Sequence, residues 1–367
     1  MVTGYPMSPA TPIVEYCFNH AQEAGLIVEQ TEDEVSAANL AIGAAFAGAR
    51  SMVCTVGGGF CLMNEALSLA GMTETPLVLC VGMRPGPATG LATRTEQADL
   101  LSSIYAGHGE FPRAVLTPAD AGQAFRAAQE AFAIAEKYQT PVIILFDQFM
   151  ADALWTVERT SLKSLVHSPE PKVASPNELK PYSYRRYEVS ESGVSPVLLP
   201  GAEQQVVYAD SDEHTEEGHI AESAAMRLLM VNKRNAKLAG IRQELGKRKV
   251  EVEAKVEVEA EVEAETLVFC FGSSRGVVSE ALARLRDKGL NAAMVHLSHV
   301  WPFPTEAVAR LVAKERKVVT VEQNFSGQLA QLLLQECGVR AAGTVRRYDG
   351  RQFTVAEVET GLEELMR

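Results

Sequence analysis

The sequence predicts an α/β protein with a doubly wound layer of parallel strands between helices. Short, almost wholly apolar runs, such as PLVLCVG from residue 76 and PVIILFD from residue 141, are bounded by Pro, Gly or Asp. Runs of this kind are typical of parallel strands that are buried on both faces. Helical stretches rich in small residues alternate with these runs, and such alternation indicates βαβ units.

The first domain is predicted over residues 1–155. SMVCTVGGGF, from residue 51, is expected to be a strand that leads into a Gly-rich turn, with CLMNEALSLAGM as the helix that follows. ADAGQAFRAAQEAFAIAEKY, from residue 119, is predicted to be a helix because Thr117, Pro118 and Asp120 are start signals. This domain therefore has the order of elements that a doubly wound sheet requires.

Residues 156–265 are predicted to be a connecting region, because they are more polar and show no clear alternation. One helix-like run, AAMRLLMVNKRNAKLAGIRQEL, begins at residue 224. Residues 249–265 contain seven Glu and two Lys in a Val/Glu repeat. The period of two could form an edge strand, but low complexity and high charge favour a solvated linker or insertion.

A second α/β domain is predicted over residues 266–367. TLVFCFGSSRG is expected to be a strand and turn, and VVSEALARLRDKG an amphipathic helix that ends at Gly289. NAAMVHLSHVWPFP is predicted as a strand followed by a loop. A helix, a strand and a helix are then predicted for AVARLVAKER, KVVTVEQN and GQLAQLLLQEC.

Composition excludes several functional classes. The net charge of −13 argues against a nucleic-acid partner, which would need a basic face. No apolar run reaches the roughly 18 residues of a membrane span, and no signal peptide is recognised, so a cytoplasmic protein is expected. The six cysteines form no C-x-x-C pair, which favours buried, reduced thiols over ligands of an iron–sulfur cluster.

A glutamate begins a predicted helix whose packed face is made of Ala and Gly. In EDEVSAANLAIGAAFAGAR, Glu34 is followed by Ala37, Ala41 and Gly43 at offsets of three, seven and nine. Small residues allow another surface to approach closely. The pattern alone leaves open whether Glu34 binds a ligand or only complements the helix dipole from the first turn.

This pattern, Glu-x-x-Ala-x-x-x-Ala-x-Gly, resembles the pyrimidine-binding domain of thiamine diphosphate enzymes. In that superfamily the glutamate bonds to the aminopyrimidine ring of the cofactor, and Glu34 occupies the matching position. The resemblance implies that Glu34 is both the catalytic and the cofactor-binding residue, acting on a cofactor that carries out the chemistry itself. It also implies a pyrimidine-binding doubly wound domain at residues 1–155.

Further segments resemble the 2-oxoacid:ferredoxin oxidoreductases. GYPMSPAT, from residue 4, is similar to their Tyr-Pro-Ile-Thr-Pro motif, in which the hydroxyl residue contacts the substrate carboxylate; Ser8 holds that place. RPGPATGLATRTEQADLL, from residue 84, resembles Gly-Pro-Ser-Thr-Gly-Leu-Pro-Thr, with Ala88 for Ser and Ala92 for Pro. Residues 266–345 look like the transketolase-C-like domain of the same family.

The resemblance does not decide which arginine binds the substrate. Arg94 is the first choice for the substrate carboxylate and Arg84 the second, because a guanidinium can form a bidentate pair with a carboxylate. A solvent-facing arginine remains an alternative at either position. YAGHGEFPR, from residue 105, resembles the 2-oxoglutarate branch, and His108 could reach the active site or be an ordinary loop histidine.

The glycines of CTVGGGFCLMNEAL could suggest a phosphate cradle, but the resemblance argues against one. In the superfamily the diphosphate and its magnesium bind to a Gly-Asp-Gly…Asn motif on the partner domain, and this motif is absent here. The three glycines, Gly57, Gly58 and Gly59, are therefore expected to let the partner subunit pack closely. FGSSRG, from residue 271, lacks the full G-x-G-x-x-G of a dinucleotide-binding turn.

Together these similarities imply an alpha subunit of a 2-oxoacid:ferredoxin oxidoreductase, with 2-oxoglutarate as the favoured substrate and coenzyme A as the acyl acceptor. A beta subunit is expected to share the thiamine diphosphate and to supply Mg²⁺ and the [4Fe-4S] cluster, so no metal site is predicted on this chain. Electrons would pass to ferredoxin, and gamma or delta subunits could also take part. A non-catalytic scaffold paralogue and a nicotinamide dehydrogenase are the alternatives.

The start of the chain predicts an incomplete first sheet. Relatives usually carry a helix and a strand before the Tyr-Pro motif, and MVTGYP leaves little room for them. A late start or a truncated sequence would explain this, and an exposed sheet edge would be expected.

Overall fold

The computed structural model describes residues 1–157, 179–201, 204–246, 251–253, 264–313 and 316–367. These residues form two sheets with helices packed against them. The α/β class predicted from the alternation of runs is confirmed.

The first sheet has seven strands in the order β10-β5-β6-β4-β3-β1-β2. All its pairs are parallel except β10 with β5. Every residue of β4 and β6, which correspond to the two predicted apolar runs, is buried, as expected for strands covered on both faces. Its strands are β1 Val2–Gly4, β2 Val28–Gln30, β3 Met52–Val56, β4 Leu77–Met83, β5 Ala114–Leu116, β6 Pro141–Asp147 and β10 His299–Trp301.

Eight helices lie between the strands of this part of the chain, within residues 1–157. They are α1 Thr11–Asn19, α2 Ala21–Ala24, α3 Glu34–Phe46, α4 Gly57–Leu62, α5 Asn64–Met72, α6 Leu100–Tyr105, α7 Ala121–Tyr138 and α8 Gln148–Asp152. The predicted start of α7 is confirmed, because Asp120 Oδ1 accepts a hydrogen bond from the Gln123 amide at 2.8 Å.

The second sheet has five strands in the order β12-β11-β8-β9-β7, and only β7 is antiparallel to its neighbour. The strands are β7 Glu251–Glu253, β8 Thr266–Phe271, β9 Ala292–Leu297, β11 Lys317–Glu322 and β12 Gly343–Arg346. The remaining helices in the described ranges are α9 Ala224–Gly246, α10 Ser274–Asp287, α11 Thr305–Val312, α12 Gln328–Cys337 and α13 Val355–Met366.

Part of the Val/Glu repeat is a strand, so the preference for a solvated linker is wrong at β7. Glu251 to Glu253 pair with His296 to Met294 of β9 at the edge of the second sheet. Residues 254–263 of the repeat lie outside the described residues, as do residues 158–178 of the connecting region.

The second half of the chain also completes the first sheet. The segment after β9 was predicted as a loop, yet His299 and Trp301 pair with β5 as the edge strand β10. Next to this strand, Thr117 donates its amide to the Ser298 carbonyl at 2.8 Å and its hydroxyl to the Leu297 carbonyl at 2.7 Å. The two sheets are therefore linked in space, while the domain bounds at 155 and 265 stay predictions.

The expected loss of a strand before Tyr5 is wrong. Val2–Gly4 forms β1, which lies between β2 and β3 in the interior of the sheet. The Thr3 hydroxyl also donates to the Ala37 carbonyl at 2.9 Å and so holds α3 against β1. The edge on this side of the sheet is β2.

Helix α9 confirms the helix predicted in the connecting region and joins it to the first domain through buried charges. Glu74 Oε1 lies 2.7 Å from Lys233 Nζ, and Glu74 Oε2 lies 2.5 Å from Lys237 Nζ. All three side chains are fully or almost fully buried. Arg186 donates to the backbone carbonyl of Glu74 at 2.7 Å, and its charge, like those of the two lysines, lowers the pKa of the Glu74 carboxyl group.

Candidate active site

The candidate site lies where three parallel strands end. The segment after β1 carries Ser8, and the segment after β4 begins at Arg84. The predicted Gly-rich turn after β3 is wrong, because Gly57 to Gly59 are already the first residues of α4. The segment after β1 packs closely on β4: a Cβ added to Gly82 would lie 2.6 Å from the Pro9 side-chain atom Cγ. Ligands of α/β proteins bind at the carboxyl ends of strands, so this edge is the natural place for a site.

Glu34 is the first residue of α3 and its side chain is only 5% exposed. The Asp33 side chain caps the helix by accepting the Ser36 amide at 2.6 Å, which frees Glu34 from that task. Among the residues that the structure describes, Glu34 Oε1 is buried without a hydrogen-bond partner. A buried carboxylate oxygen without a partner is costly unless a ligand satisfies it, and it fits the amino group or ring nitrogen of an aminopyrimidine.

The glycines after β3 make room for side chains of the same chain. A Cβ on Gly59 would lie 2.7 Å from Glu34 Oε1, and one on Gly57 would lie 2.5 Å from Asp99 Oδ2. At Gly58 the nearest atom would be the Ala88 carbonyl at 3.8 Å. The explanation by close packing of a partner is therefore wrong for Gly57 and Gly59, where the space is taken within the chain.

Ser8 and Arg84 are brought together, whereas Arg94 lies elsewhere on the same loop. Arg84 Nη1 donates to the Ser8 carbonyl at 2.7 Å. Arg94 is exposed and packs beside Gly350, where an added Cβ would lie 3.1 Å from Arg94 Cβ. The roles of Ser8, Arg84 and Arg94 toward a substrate stay predictions.

His108 lies in an exposed loop against α5. Its backbone amide donates to Ser68 Oγ at 2.8 Å, and the Gly107 amide donates to Asn64 Oδ1 at 3.2 Å. Arg113, from the same segment, is buried, donates to the Ala106 carbonyl and lies 4.2 Å from the ring centre of Phe111. The segment is thus anchored by its arginine, and a part for His108 in the site remains a prediction.

Two acidic residues of the loop between β4 and α6, residues 84–99, were not singled out from the sequence. Burial raises the pKa of Asp99 to about 6. Burial, with the nearby charge of Asp99, raises the pKa of Glu96 to about 7. Only the run TEQAD marks them in the sequence, and acidic residues in a loop are normally solvated. The structure places Asp99 next to Gly57 and therefore at the rim of the candidate site.

The raised pKa of Glu96 predicts a pH-dependent stability. Between about pH 4.5 and 7 the folded chain binds more protons at Glu96 than the unfolded chain, so the stability from this group falls as pH rises. Glu96→Gln should therefore raise the thermal midpoint relative to the wild type by more at pH 8 than at pH 5. Glu110→Gln, at an exposed position, is the control. An equal change in the midpoint at both pH values would contradict the prediction.

The FGSSRG turn is occupied by protein groups. Ser273 Oγ donates to Asp147 Oδ2 at 2.5 Å, and Ser274 Oγ donates to Gln97 Oε1 at 3.1 Å. A Cβ on Gly272 would lie 3.1 Å from Gln97 Nε2. The turn thus contacts the first domain, which argues against a dinucleotide site there.

The cysteines are free, and not all of them are buried. Cys54, Cys80 and Cys270 are buried as expected, whereas Cys61 is exposed, so the prediction is wrong at that position. Its helix, α4, buries Gly59 and Phe60 and turns Cys61 outward. In the described part of the chain, no three His, Cys, Asp or Glu side chains are grouped to hold a metal ion. No helix described there is long and apolar enough to cross a membrane.

Comparison with known proteins identifies both halves of the chain. Residues 1–233 match the family model described as "Pyruvate flavodoxin/ferredoxin oxidoreductase, thiamine diP-bdg", and residues 264–358 match "Pyruvate:ferredoxin oxidoreductase core domain II". The first match contains Glu34, Ser8 and the loop with both arginines. The pyrimidine-binding and second α/β domains expected from the motifs agree with these families.

Curated relatives and solved structures agree with the family models. The alpha subunit of 2-oxoacid:ferredoxin oxidoreductase 1 from Sulfurisphaera tokodaii is 34% identical over 99% of this chain. The 2-oxoglutarate oxidoreductase subunit KorA from Mycobacterium tuberculosis is 36% identical over 90% of it. The chain spans 58% and 48% of the length of these two proteins.

A solved structure, the 2-oxoglutarate:ferredoxin oxidoreductase of Magnetococcus marinus with 2-oxoglutarate, coenzyme A and succinyl-CoA bound, has a TM-score of 0.88 and 32% identity. The match covers all of this chain and 62% of that one. On these grounds the chain belongs to the 2-oxoacid:ferredoxin oxidoreductase family, among its alpha subunits.

Proposed function

We propose that the chain is the alpha subunit of an enzyme that oxidatively decarboxylates 2-oxoglutarate, or a related 2-oxoacid, to an acyl-CoA. Two ferredoxins would each accept one electron, and carbon dioxide would leave. The observation that carries the proposal is the buried, unpartnered Oε1 of Glu34 at the end of the sheet where the family model assigns a thiamine diphosphate domain.

Glu34 would hold the aminopyrimidine end of the cofactor. The Asp33 cap and the space at Gly59 fix the position of its carboxyl group. This group can accept a hydrogen bond from a ring nitrogen or share a proton with it. When bound, thiamine diphosphate supplies the electron sink that decarboxylation needs. The burial of Glu34 would strengthen a hydrogen bond between its carboxyl group and the ring.

The substrate carboxylate would bind at Ser8 with one of the two arginines. Arg84 is half-buried and already hydrogen-bonded to the Ser8 carbonyl, so its remaining guanidinium donors are held near that segment. Arg94 is exposed and could complete the pocket against another subunit. A planar guanidinium would give a bidentate contact in either case.

The other parts of the reaction would come from a beta subunit. It would bind the diphosphate with Mg²⁺ and carry the [4Fe-4S] cluster that passes electrons to ferredoxin, and gamma or delta subunits could join it. We also propose that the assembled enzyme is cytoplasmic. The names of the relatives support a multisubunit enzyme, and the Magnetococcus marinus structure supports 2-oxoglutarate and coenzyme A as substrates.

Two other functions compete less well. A nicotinamide dehydrogenase would need an open FGSSRG turn, but Gln97 and Asp147 contact that turn. A non-catalytic scaffold paralogue would not need a buried, unpartnered Glu34. The alpha-subunit function therefore explains more of the site.

The proposal is tested with the chain co-expressed with its partner subunit. The complex should reduce a viologen dye only when thiamine diphosphate, coenzyme A and a 2-oxoacid are all present, with 2-oxoglutarate giving a higher kcat/KM than pyruvate. The chain alone, as the control, should give no reduction. An assembled complex that fills with cofactor but reduces no dye with any 2-oxoacid would favour the scaffold.

A further inference from the structure

The loop between β4 and α6, residues 84–99, is tied to the second half of the chain through one buried side chain. Gln97 is 0% exposed. Its Nε2 donates to Asp147 Oδ2 and to the Phe271 carbonyl, each at 3.2 Å. Its Oε1 accepts from Ser274 Oγ at 3.1 Å and from the Gln323 amide at 3.2 Å.

The backbone of Gln97 is fixed to the same second domain. Its amide donates to the Gln323 carbonyl at 2.6 Å, and its carbonyl accepts from Asn324 Nδ2 at 3.3 Å. The side-chain amide and both backbone groups of this residue are thus bonded. Among these partners, only Asp147 belongs to the first sheet; Phe271 ends β8 of the second sheet, and the others follow β8 or β11.

Neighbouring residues repeat the connection on both sides. The Thr95 amide donates to the Gly350 carbonyl at 3.2 Å. Gln328 of α12 donates to the Ala98 carbonyl at 2.7 Å and accepts from the Leu101 amide at 2.9 Å. The carboxyl-terminal end of the loop is therefore held by three elements of the second domain, while residues 86–91 are exposed.

From this geometry we propose that Gln97 is a positioning residue through which the second domain sets the place of the β4–α6 loop over the candidate active site. The inference rests on the proposed function, because its catalytic consequence runs through Arg84 and Arg94 on that loop. The side-chain amide of Gln97 has two N–H donors and an oxygen that accepts two hydrogen bonds, so it satisfies all four partners. An apolar residue in its place would leave those partners unsatisfied. The second domain then contributes to substrate binding without touching the substrate.

The test is Gln97→Met in the complex with the partner subunit. Met keeps the size of the side chain and removes its four hydrogen bonds. Amide hydrogen exchange should rise about tenfold or more in residues 84–96 and stay unchanged in β4 and α7. The KM for the 2-oxoacid should rise about tenfold, with the KM for coenzyme A unchanged and kcat changed less.

A second pair of variants makes the test independent of whether Gln97→Met folds. Gln328→Ala removes the bonds to Ala98 and Leu101. Like Gln97→Met, it should raise hydrogen exchange in residues 84–96 and raise the KM for the 2-oxoacid. Gln331 lies on the same helix, and its side chain donates to the Ser326 carbonyl within the second domain, so Gln331→Ala should change neither.

Two results would overturn the proposal. The first is that hydrogen exchange and the KM for the 2-oxoacid are unchanged in variants that fold. The second is that exchange rises across the whole chain and the KM values for the 2-oxoacid and for coenzyme A rise in parallel. Exchange is measured without turnover, so it separates this inference from the proposed function. A wild-type complex that reduces no dye would count against the proposed function but not against the positioning role of Gln97.

Discussion

Glu34→Gln is expected to lower the kcat of the assembled complex by about 10²- to 10⁴-fold. The amide has the same size as the carboxyl group and can fill the same space beside Gly59. An amide can neither take up nor release a proton as a carboxyl group can, so it would not exchange one with a ring nitrogen of the bound cofactor. The measurement is dye reduction at saturating thiamine diphosphate, 2-oxoacid and coenzyme A.

Two controls separate the role of Glu34 from general damage. Glu32→Gln, two residues earlier and exposed, should retain wild-type kcat. Gly59→Ala should lower kcat because its Cβ displaces the Glu34 carboxyl group. Gly58→Ala should change kcat far less, since among the described residues of this chain its Cβ meets nothing closer than 3.8 Å. Wild-type turnover in Glu34→Gln would rule out the proposed contact with the cofactor.

Glu74→Gln is expected to lower the free energy of unfolding by about 3–5 kcal/mol, because it leaves buried cations without their counter-charge. Lys233 and Lys237 would face a neutral amide, and Arg186 would remain beside them. Chemical denaturation of the purified chain would measure the loss. Glu280→Gln, which removes an exposed ion pair with Arg284, should cost less than about 0.5 kcal/mol.

The same cluster predicts the behaviour of the chain in acid. Burial alone raises the pKa of Glu74, but the charges of Lys237, Lys233 and Arg186 outweigh burial and lower its pKa to about 2. The folded pKa lies below the unfolded value, so the stability is present above about pH 4.5 and is lost as pH falls toward 2. A difference between wild type and Glu74→Gln that stayed constant from pH 5 to pH 2.5 would contradict this assignment.

The sequence predicted those elements whose signals are local. Buried strands such as β4 and β6 are continuous apolar runs, and the start of α7 is marked by its capping aspartate. Glu34 was singled out because the spacing of Ala and Gly behind it, which is also local, resembles that of a known domain; the structure places it buried at the start of α3, and its role stays a prediction. Each of these features is decided by residues within one turn or one strand of each other.

What the sequence did not predict depends on distant partners. The segment of β10 precedes two prolines, Pro302 and Pro304, and its pairing strand β5 lies about 180 residues earlier. Lys233 and Lys237, spaced by four on a helix, have the pattern of a solvated face, and only Glu74 explains their burial. Gln97 sits in a Gly- and Pro-rich loop, where nothing nearby in the sequence indicates complete burial.

The position of β10 has a consequence for how the chain can be divided. A fragment that stopped at residue 265 would keep β5 but lose the strand that covers it, leaving a row of unpaired backbone donors and acceptors open to other molecules. Such a fragment is prone to self-association through that strand. The edge of β5 in the amino-terminal half is therefore covered only when the carboxyl-terminal half has been synthesised and has folded beside it.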